Sequence, residues 1–254
     1  MIYFVGAGPG ATDLITLRGD KLIRIADVII YAGSLVNPEL LKSAKPDCEI
    51  FNSAEMTLEQ VIEKALSAER TGKLTVRLHT GDPSIYGAVR EQMDELDKHG
   101  APYEVVPGVS SLNGAAAALK AEYTLPGVSQ TVIITRAEGR TPVPPGEQIA
   151  ALASHGATMA IFLSAGLLEK LSVDLIAGGY SPDSPAAIVY KATWPEEKII
   201  RTTVSELAGA AEREGIRQTA LILIGGFLGD EYCRSLLYDP KFTHGFRKGR
   251  GNDT

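Results

Sequence analysis

The sequence predicts an α/β protein built from two α/β domains, the first with a mainly parallel sheet and the second with a mixed sheet. Short apolar segments alternate with amphipathic ones along almost all of the 254 residues, as in strand–helix–strand units. Glycine- or proline-rich loops follow three early strands. The alternation stops at 122–129, around Pro126-Gly127, and then resumes. We therefore expect domains at 1–121 and 130–228, followed by a polar, loose tail at 229–254.

Composition excludes several classes of function. The net charge is −6, whereas a general nucleic-acid or membrane-surface binder would carry a basic face. The two cysteines, Cys48 and Cys233, are far apart and match no zinc spacing. No apolar run is long enough to span a bilayer, and the N-terminus lacks the basic start of a signal peptide. We expect a cytoplasmic protein with no nucleic-acid partner, no membrane partner and no metal of its own.

In the first domain, apolar runs predict strands and helical periodicity predicts helices. Leu58, Val61 and Ile62 begin one such helical stripe, and Thr16 and Thr57 stand where N-caps are favoured. The predicted strands are Ile2–Val5, Val28–Tyr31, Cys48–Asn52 at an edge, Leu74–Thr80 and Tyr103–Val106. The predicted helices are Thr16–Ala26, a short one that Asn37-Pro38 begins and that runs to about Ser43, Thr57–Thr71, one after Gly87 to His99, and one after Ser111 to about Ala121.

The second domain repeats the pattern with a candidate hairpin. Trp194-Pro195-Glu196-Glu197 is a turn between two predicted antiparallel strands, and Ser205 is a predicted N-cap. The strands are expected at Thr131–Thr135, Met159–Ser164, Ala186–Thr193, Lys198–Val204 and Ala220–Gly225. The helices are expected at Gly146–Ser154, Leu167–Ala177 and Ser205–Glu214.

Three loops of the first domain, Gly6–Gly10, Gly81–Gly87 and Pro107–Ser111, follow strands of one sheet. In open α/β sheets, ligands bind outside the carboxyl ends of the strands. Because glycine lets another group approach the main chain closely, we expect a pocket floor made largely of backbone.

The first loop leaves several ligands open. Gly6, Gly8 and Ala11 fit the dinucleotide pattern, but the helix starts late, at Thr16. The next strand ends in Tyr31-Ala32-Gly33, without an acid for the ribose. These residues leave three interpretations of the loop: a nicotinamide cofactor site, a tight turn without a ligand, and a site for a different small ligand.

Few side chains point to chemistry. His79 ends a strand beside the second loop and is either a ligand contact or a wall residue. Asp82-Pro83 is an N-cap pair that also borders the loop. Arg136 and Arg140 flank Glu138 on a proline-stiffened loop, and Lys191 ends another strand. Such cations suit a small polyanion because arginine binds carboxylates in two-pronged fashion, although a solvated salt-bridged loop is the ordinary alternative.

These motifs resemble the tetrapyrrole methylases. The likeness covers nearly the whole chain and is carried by Val5-Gly6-Ala7-Gly8-Pro9-Gly10, Gly81-Asp82-Pro83, Pro107-Gly108-Val109-Ser110-Ser111 and Tyr190-Lys191-Ala192-Thr193. A closer likeness within the family is carried by 31–36, 79–83, 135–142 and 237–245. It implies methyl transfer to ring carbon C11 of precorrin-4 or its cobalt form, in building the corrin ring of cobalamin.

The resemblance also implies a homodimer and a cleft between the two domains. S-adenosyl-L-methionine would bind there as methyl donor, leave as S-adenosyl-L-homocysteine and meet an anionic tetrapyrrole. The implied donor contacts are Pro9, Thr80, Gly81, Asp82, Ile85, Ser110, Ser111, Leu163, Ala192, Thr219 and Ala220. The substrate contacts we expect are His79, Arg136, Glu138, Arg140 and Lys191.

One position departs from the family. Its first loop usually continues Asp-Pro, where this chain has Ala11-Thr12. If that carboxylate helps to remove a proton or to orient the substrate, this chain lacks it, or Asp13 serves instead. The sequence therefore identifies no catalytic residue. The alternatives are a methylase of the same fold acting at another ring carbon or on a protein residue, a nicotinamide oxidoreductase, and a non-catalytic tetrapyrrole-binding protein.

Overall fold

A computed structural model describes residues 1–249, apart from the side chain of Ser34. Residues 250–254 of the predicted tail, including Arg250, lie outside the described residues. The chain divides into two compact units. The first comprises Met1–Leu119 together with Val189–Ile199, and the second comprises Lys120–Ile188 and the chain from Ile200 onward. The domain limits 1–121 and 130–228 stay predictions.

The first unit contains a five-stranded sheet with the order β3-β2-β4-β1-β5. Its four neighbouring strand pairs are all parallel, as the sequence predicted. The strands are β1 Ile2–Gly6, β2 Val28–Tyr31, β3 Glu49–Asn52, β4 Thr75–His79 and β5 Tyr103–Val106. The helices are α1 Leu17–Ile25, α2 Leu58–Arg70, α3 Val89–Lys98 and α4 Ser111–Leu119.

The side-chain alternation of these strands gives the sheet two covered faces. Val5 of β1 packs in a cluster with Leu22 and Ile23 of α1. Phe4, one residue earlier, packs in a second cluster with Ile62 of α2 and Leu96 of α3. Burial on both faces is the reason why these strands read as apolar runs.

Capping in the first unit follows the sequence signals. Thr16 accepts a hydrogen bond from Gly19 N at 3.1 Å, and Thr57 forms a reciprocal capping box with Gln60. Both predicted N-caps are confirmed. Gly100, which follows α3, has φ +63°, the left-handed conformation that commonly ends helices.

The second sheet is mixed and has the order β6-β7-β10-β8-β9; β6 and β7 are parallel, whereas β7 and β10 are antiparallel. Its strands are β6 Val132–Arg136, β7 Thr158–Phe162, β8 Pro185–Tyr190, β9 Lys198–Thr203 and β10 Ala220–Ile224. The helices of the second unit are α5 Ile149–Ala153, α6 Leu168–Ala177 and α7 Leu207–Arg213.

Three local predictions are wrong. Ser205 does not cap α7, because the N-cap is Glu206 and no side chain caps it. Asp82-Pro83 does not start a helix, since α3 begins only at Val89. The strand expected to reach Thr193 ends at Tyr190, because Lys191 and Thr193 adopt left-handed φ of 46° and 69°.

Among the helices of residues 1–249, none combines the length and apolar character needed to cross a bilayer.

Candidate active site

The three predicted loops of the first unit lie at one edge of its sheet. Gly6 pairs with His79 and Val5 with Val106, so the three strands end side by side. Gly8 and Gly81 then exchange two backbone hydrogen bonds: Gly81 N donates to Gly8 O at 2.9 Å, and Gly8 N donates to Gly81 O at 3.3 Å. The loops are therefore joined through their main chains.

Glycine is required where these loops touch. A Cβ atom on Gly6 would lie 2.5 Å from Gly108 Cα, and one on Gly108 would lie 2.1 Å from Gly81 O. Real Cβ atoms do not approach backbone so closely, and these backbone atoms cannot rotate away as a flexible side chain could. This confirms the expectation that this edge is made largely of backbone.

The Asp82 carboxylate braces two of the loops. Its Oδ2 accepts a hydrogen bond from Gly108 N at 2.8 Å, and its Oδ1 accepts one from Ser84 N at 2.8 Å and another from Ser84 Oγ. Burial alone would raise the pKa of Asp82, but these hydrogen bonds outweigh it and hold the pKa below its usual value. The side chain is thus committed to loop structure.

The first loop is held by side chains from distant parts of the chain. Trp194 Nε1 donates to Pro9 O at 3.0 Å, and Asn37 Nδ2 donates to Gly10 O at 2.8 Å. Ala11 N donates to Thr193 Oγ1 at 3.0 Å. Three successive residues therefore have a backbone group bound, and the loop is rigid at the position where the family has its Asp-Pro.

Other predicted donor contacts of the first unit lie beside these loops. A Cβ on Gly81 would be 3.6 Å from both Ser110 Cα and Ser111 N, where α4 begins. Ile85 is half-buried in the second loop, and Ala192 is buried in the short segment between Lys191 and Thr193. The Thr80 Oγ1 atom is buried and has no hydrogen-bond partner within residues 1–249, so it is available to a ligand or to water.

The predicted donor contacts of the second unit share one edge of its sheet. Ile222 pairs with Ile161 in the β7–β10 ladder, so extending this register places Ala220 opposite Leu163. Leu163 has φ 53° and Thr219 has φ 57°. Left-handed backbone in non-glycine residues is strained, and such strain is concentrated at functional sites. Leu163 is also 67% exposed, which leaves its side chain free to contact a ligand.

The arginine loop extends from the end of β6. Arg136 donates to the carbonyl oxygens of Ala137, Thr141 and Pro142, the last at 2.6 Å. Arg140 is exposed and Glu138 is half-buried. Within residues 1–249 none of these three side chains forms an ion pair with another residue of the chain, so the salt-bridged loop considered from the sequence is not formed there.

The remaining two predicted substrate contacts, Lys191 and His79, differ in their surroundings. Lys191 Nζ is 3.7 Å from Glu196 Oε2 and lies 5.3 Å from the Trp194 ring centroid. His79 is 3% exposed, with its ring beside that of Phe4. Burial, together with the charge of Arg77, lowers the pKa of His79 to about 3. A neutral buried imidazole offers no charge to an anion, and substrate contact at His79 stays a prediction.

Comparison with known proteins decides the family. The family model described as tetrapyrrole (corrin/porphyrin) methylases matches residues 1–208. The chain belongs to the tetrapyrrole methylases. This confirms the resemblance inferred from the glycine motifs, and it agrees with the parallel and mixed sheets described above.

Individual tetrapyrrole methylases match nearly end to end. A cobalt-precorrin-4 C(11)-methyltransferase of Methanocaldococcus jannaschii is 54% identical over 97% of this chain and 96% of its own. A crystal structure of a cobalt-precorrin-4 methyltransferase of cobalamin biosynthesis is 51% identical, with a TM-score of 0.88, and covers 90% of this chain and 96% of its own. The structure of a Thermus thermophilus uroporphyrin-III C-methyltransferase complexed with S-adenosylhomocysteine is 27% identical, with a TM-score of 0.73. The match covers 89% of this chain and 92% of that one.

Sequence reasoning missed the three residues that hold the first loop, Asn37, Thr193 and Trp194, and the buried Arg77 beside His79. Arg77 carried a signal, because a charged residue in a strand buried on both faces needs partners. Trp194 is the single tryptophan of the chain and was interpreted only as part of a turn. Its contact with Pro9 spans 185 positions, and no local pattern predicts such a pairing.

Proposed function

We propose that this tetrapyrrole methylase transfers a methyl group from S-adenosylmethionine to ring carbon C11 of precorrin-4 or cobalt-precorrin-4, during assembly of the corrin ring of cobalamin. The observation that carries the proposal is the arginine loop at 136–142, whose cations are not neutralised by carboxylates of the described chain. The names of the relatives at 51–54% identity support the cobalt form as the first substrate to test.

The residues of the first unit fit the methyl donor. The nearest described atoms to a Cβ on Gly81 are 3.6 Å away, and the Thr80 hydroxyl is buried without a hydrogen-bond partner among residues 1–249. S-adenosylmethionine supplies, when bound, an electrophilic methyl group on a sulfonium centre that needs no acid to leave. Thr80, Gly81, Ile85, Ser110 and Ser111 would hold it by backbone and hydroxyl contacts. The remaining donor contacts would be Pro9, Asp82, Ala192, Leu163, Thr219 and Ala220.

Positively charged side chains would bind the substrate. Arg136, Arg140 and Lys191 would bind the acetate and propionate arms of the macrocycle, because charge-assisted hydrogen bonds to carboxylates are strong and directional. Glu138, which lies between the arginines in sequence, would contact the substrate beside them. The chain's contribution to rate is then mainly positioning of the nucleophilic ring carbon. The Asp82 carboxylate is already committed to Gly108 and Ser84, so we assign it no proton transfer.

Two experiments test this function in order. Calorimetric titration with S-adenosylhomocysteine should give about −8 kcal/mol, a micromolar dissociation constant, with one site per chain. Incubation with ¹³C-methyl donor and cobalt-precorrin-4 should then add one methyl carbon, which NMR assigns to C11. Transfer to another ring carbon would identify a different methylase of this family, and macrocycle binding without transfer would indicate a carrier.

We also propose a cytoplasmic homodimer, on the basis of the family resemblance. Sedimentation velocity should show a species of twice the chain mass at micromolar concentration. A single monomeric species would contradict it.

A further inference from the structure

A buried cation lies next to the second glycine loop. In β4, Val76 and Leu78 pack in the cluster with α1, so the alternation directs Thr75, Arg77 and His79 towards the opposite face, beneath α2 and α3. Arg77 is 8% exposed there. Its register partner on β1 is Phe4, which belongs to the apolar cluster on that face.

The guanidinium group of Arg77 is held by neutral groups. Its Nε donates to Gln92 Oε1 at 3.0 Å, and its Nη1 donates to the backbone oxygen of Ile30 at 3.0 Å. It forms no ion pair with a carboxylate in the part of the chain that the structure describes. Burial lowers the pKa of Arg77 to about 10, so the group is still charged at neutral pH. A buried charge without a counter-charge is costly, and stability alone does not explain its presence.

Gln92 links this cation to the loop. Its Nε2 donates to Ala88 O at 2.8 Å, while its Oε1 is oriented by Arg77. Ala88 has φ 49° and Tyr86 has φ 55°, and a Cβ on Gly87 would lie 2.2 Å from Pro83 O. The end of the loop is therefore strained and crowded, and a conformation of this kind persists only where surrounding contacts over-determine it.

We propose that Arg77 and Gln92 are positioning residues that fix the conformation of the Gly81–Ala88 loop and thereby set affinity for the methyl donor. Asp82 fixes the beginning of this loop through Gly108 N, and the Arg77–Gln92 pair fixes its end through Ala88 O. The donor contacts expected at Gly81, Asp82 and Ile85 lie between the two anchors. This inference rests on the proposed function in naming the donor as the ligand of the loop.

The variant that tests the link is Gln92→Glu. Its carboxylate retains an acceptor for Arg77 but loses the donor to Ala88 O. Glu91→Gln, at the exposed neighbouring position of α3, is the matched control. The second variant is the double replacement Arg77→Met with Gln92→Leu, which removes charge and polar partner together, since apolar replacement of buried polar pairs is often neutral for stability.

Amide hydrogen exchange of the unliganded protein reads the loop directly. Exchange across 81–88 should rise in both test variants and stay unchanged in Glu91→Gln. Unchanged exchange in Gln92→Glu would overturn the positioning role whatever the ligand proves to be. If exchange rises but wild-type protein gives no heat with S-adenosylhomocysteine, the proposed function fails, and with it the assignment of the loop to a donor.

Binding and kinetics separate this role from general support of the fold. Loss of one buried hydrogen bond should raise the dissociation constant for S-adenosylhomocysteine and the KM for S-adenosylmethionine about tenfold. The KM for the tetrapyrrole should stay at the wild-type value, and the thermal midpoint of Gln92→Glu should not fall, because the new carboxylate is a counter-charge for Arg77. Equal losses for both ligands together with a lowered midpoint would show a merely structural role and overturn the inference.

Discussion

The two sheet edges that carry the predicted donor contacts differ in where glycine is found. In the first unit the loops meet backbone to backbone, and Gly6 and Gly108 leave no space for a Cβ atom. In the second unit the left-handed positions are occupied by Leu163 and Thr219, which have side chains. Glycine is used where main chains must touch. At the second edge the left-handed backbone carries side chains, and we expect Leu163 to present its side chain to the methyl donor.

Replacing Gly108 by alanine should have the largest effect. The new Cβ would be 2.1 Å from Gly81 O, so the loops must separate, at a cost of about 3 kcal/mol in the free energy of unfolding. Urea unfolding measures this, and S-adenosylhomocysteine titration should show lost affinity. Gly245→Ala is the control, since no atom of residues 1–249 lies within 4 Å of its Cβ position. Equal stability of the two variants would contradict the close backbone contact.

The second unit should contribute side chains to substrate binding. Arg136→Ala and Arg140→Ala should each raise the KM for the tetrapyrrole about tenfold, because each loses a hydrogen bond to a carboxylate. The KM for S-adenosylmethionine should not change. Lys170→Ala, which removes an exposed cation of α6, controls for general charge effects. If turnover and substrate affinity are unchanged in both arginine variants, the loop has another role.

A smaller effect distinguishes presented side chains from simple strain. Leu163→Gly should stabilise the fold by about 0.5 kcal/mol, since relief of left-handed strain exceeds the entropy cost of glycine. Val173→Gly, at a similarly exposed position of α6, should destabilise it by about 0.5 kcal/mol through helix propensity. Chemical denaturation measures both. If Leu163→Gly also weakens donor binding, the side chain contacts the ligand; unaltered affinity would limit its role to the backbone.

The smallest expected effect is the pH dependence that Asp82 adds to stability. Burial would raise the pKa of this carboxyl, but the hydrogen bonds from Ser84 and Gly108 lower it in the folded state below its usual value of 3.8. Its contribution to stability is therefore present above that pH. The contribution is lost as the pH falls through the lower folded pKa. The difference in unfolding free energy between wild type and Asp82→Asn should therefore shrink below about pH 4. In a Ser84→Ala background, which lacks one hydrogen-bond donor to Asp82, the loss of unfolding free energy caused by Asp82→Asn should already be smaller at neutral pH.

Local signals predicted much of the fold. Thr16 and Thr57 cap helices because each hydroxyl accepts a hydrogen bond from a free backbone N–H three residues later. This interaction is local and does not depend on distant parts of the chain. The edge of glycine loops followed from parallel topology, since parallel strands end together. Ser205 failed as a cap because α7 starts two residues later, and helix starts vary by such amounts.

The sequence predicted which motifs belong to the candidate site better than it predicted the contacts that hold them together. The arginine loop and the glycine loops were visible as motifs. The roles of Asp82 and Trp194 were not, because each depends on a partner far along the chain: Gly108 N lies 26 positions from Asp82, and Pro9 O lies 185 positions from Trp194.

By itself the sequence determined the α/β alternation, the parallel first sheet, the caps at Thr16 and Thr57, and the family. These depend on patterns within about twenty residues or on motifs that remain adjacent in the chain. Only the tertiary structure decided that Val189–Ile199 packs with the first unit, that Arg77 is buried beneath α2 and α3, and that Leu163 is left-handed. Packing and hydrogen bonding between distant segments set these features, and their free energy exceeds the local preferences of the residues concerned.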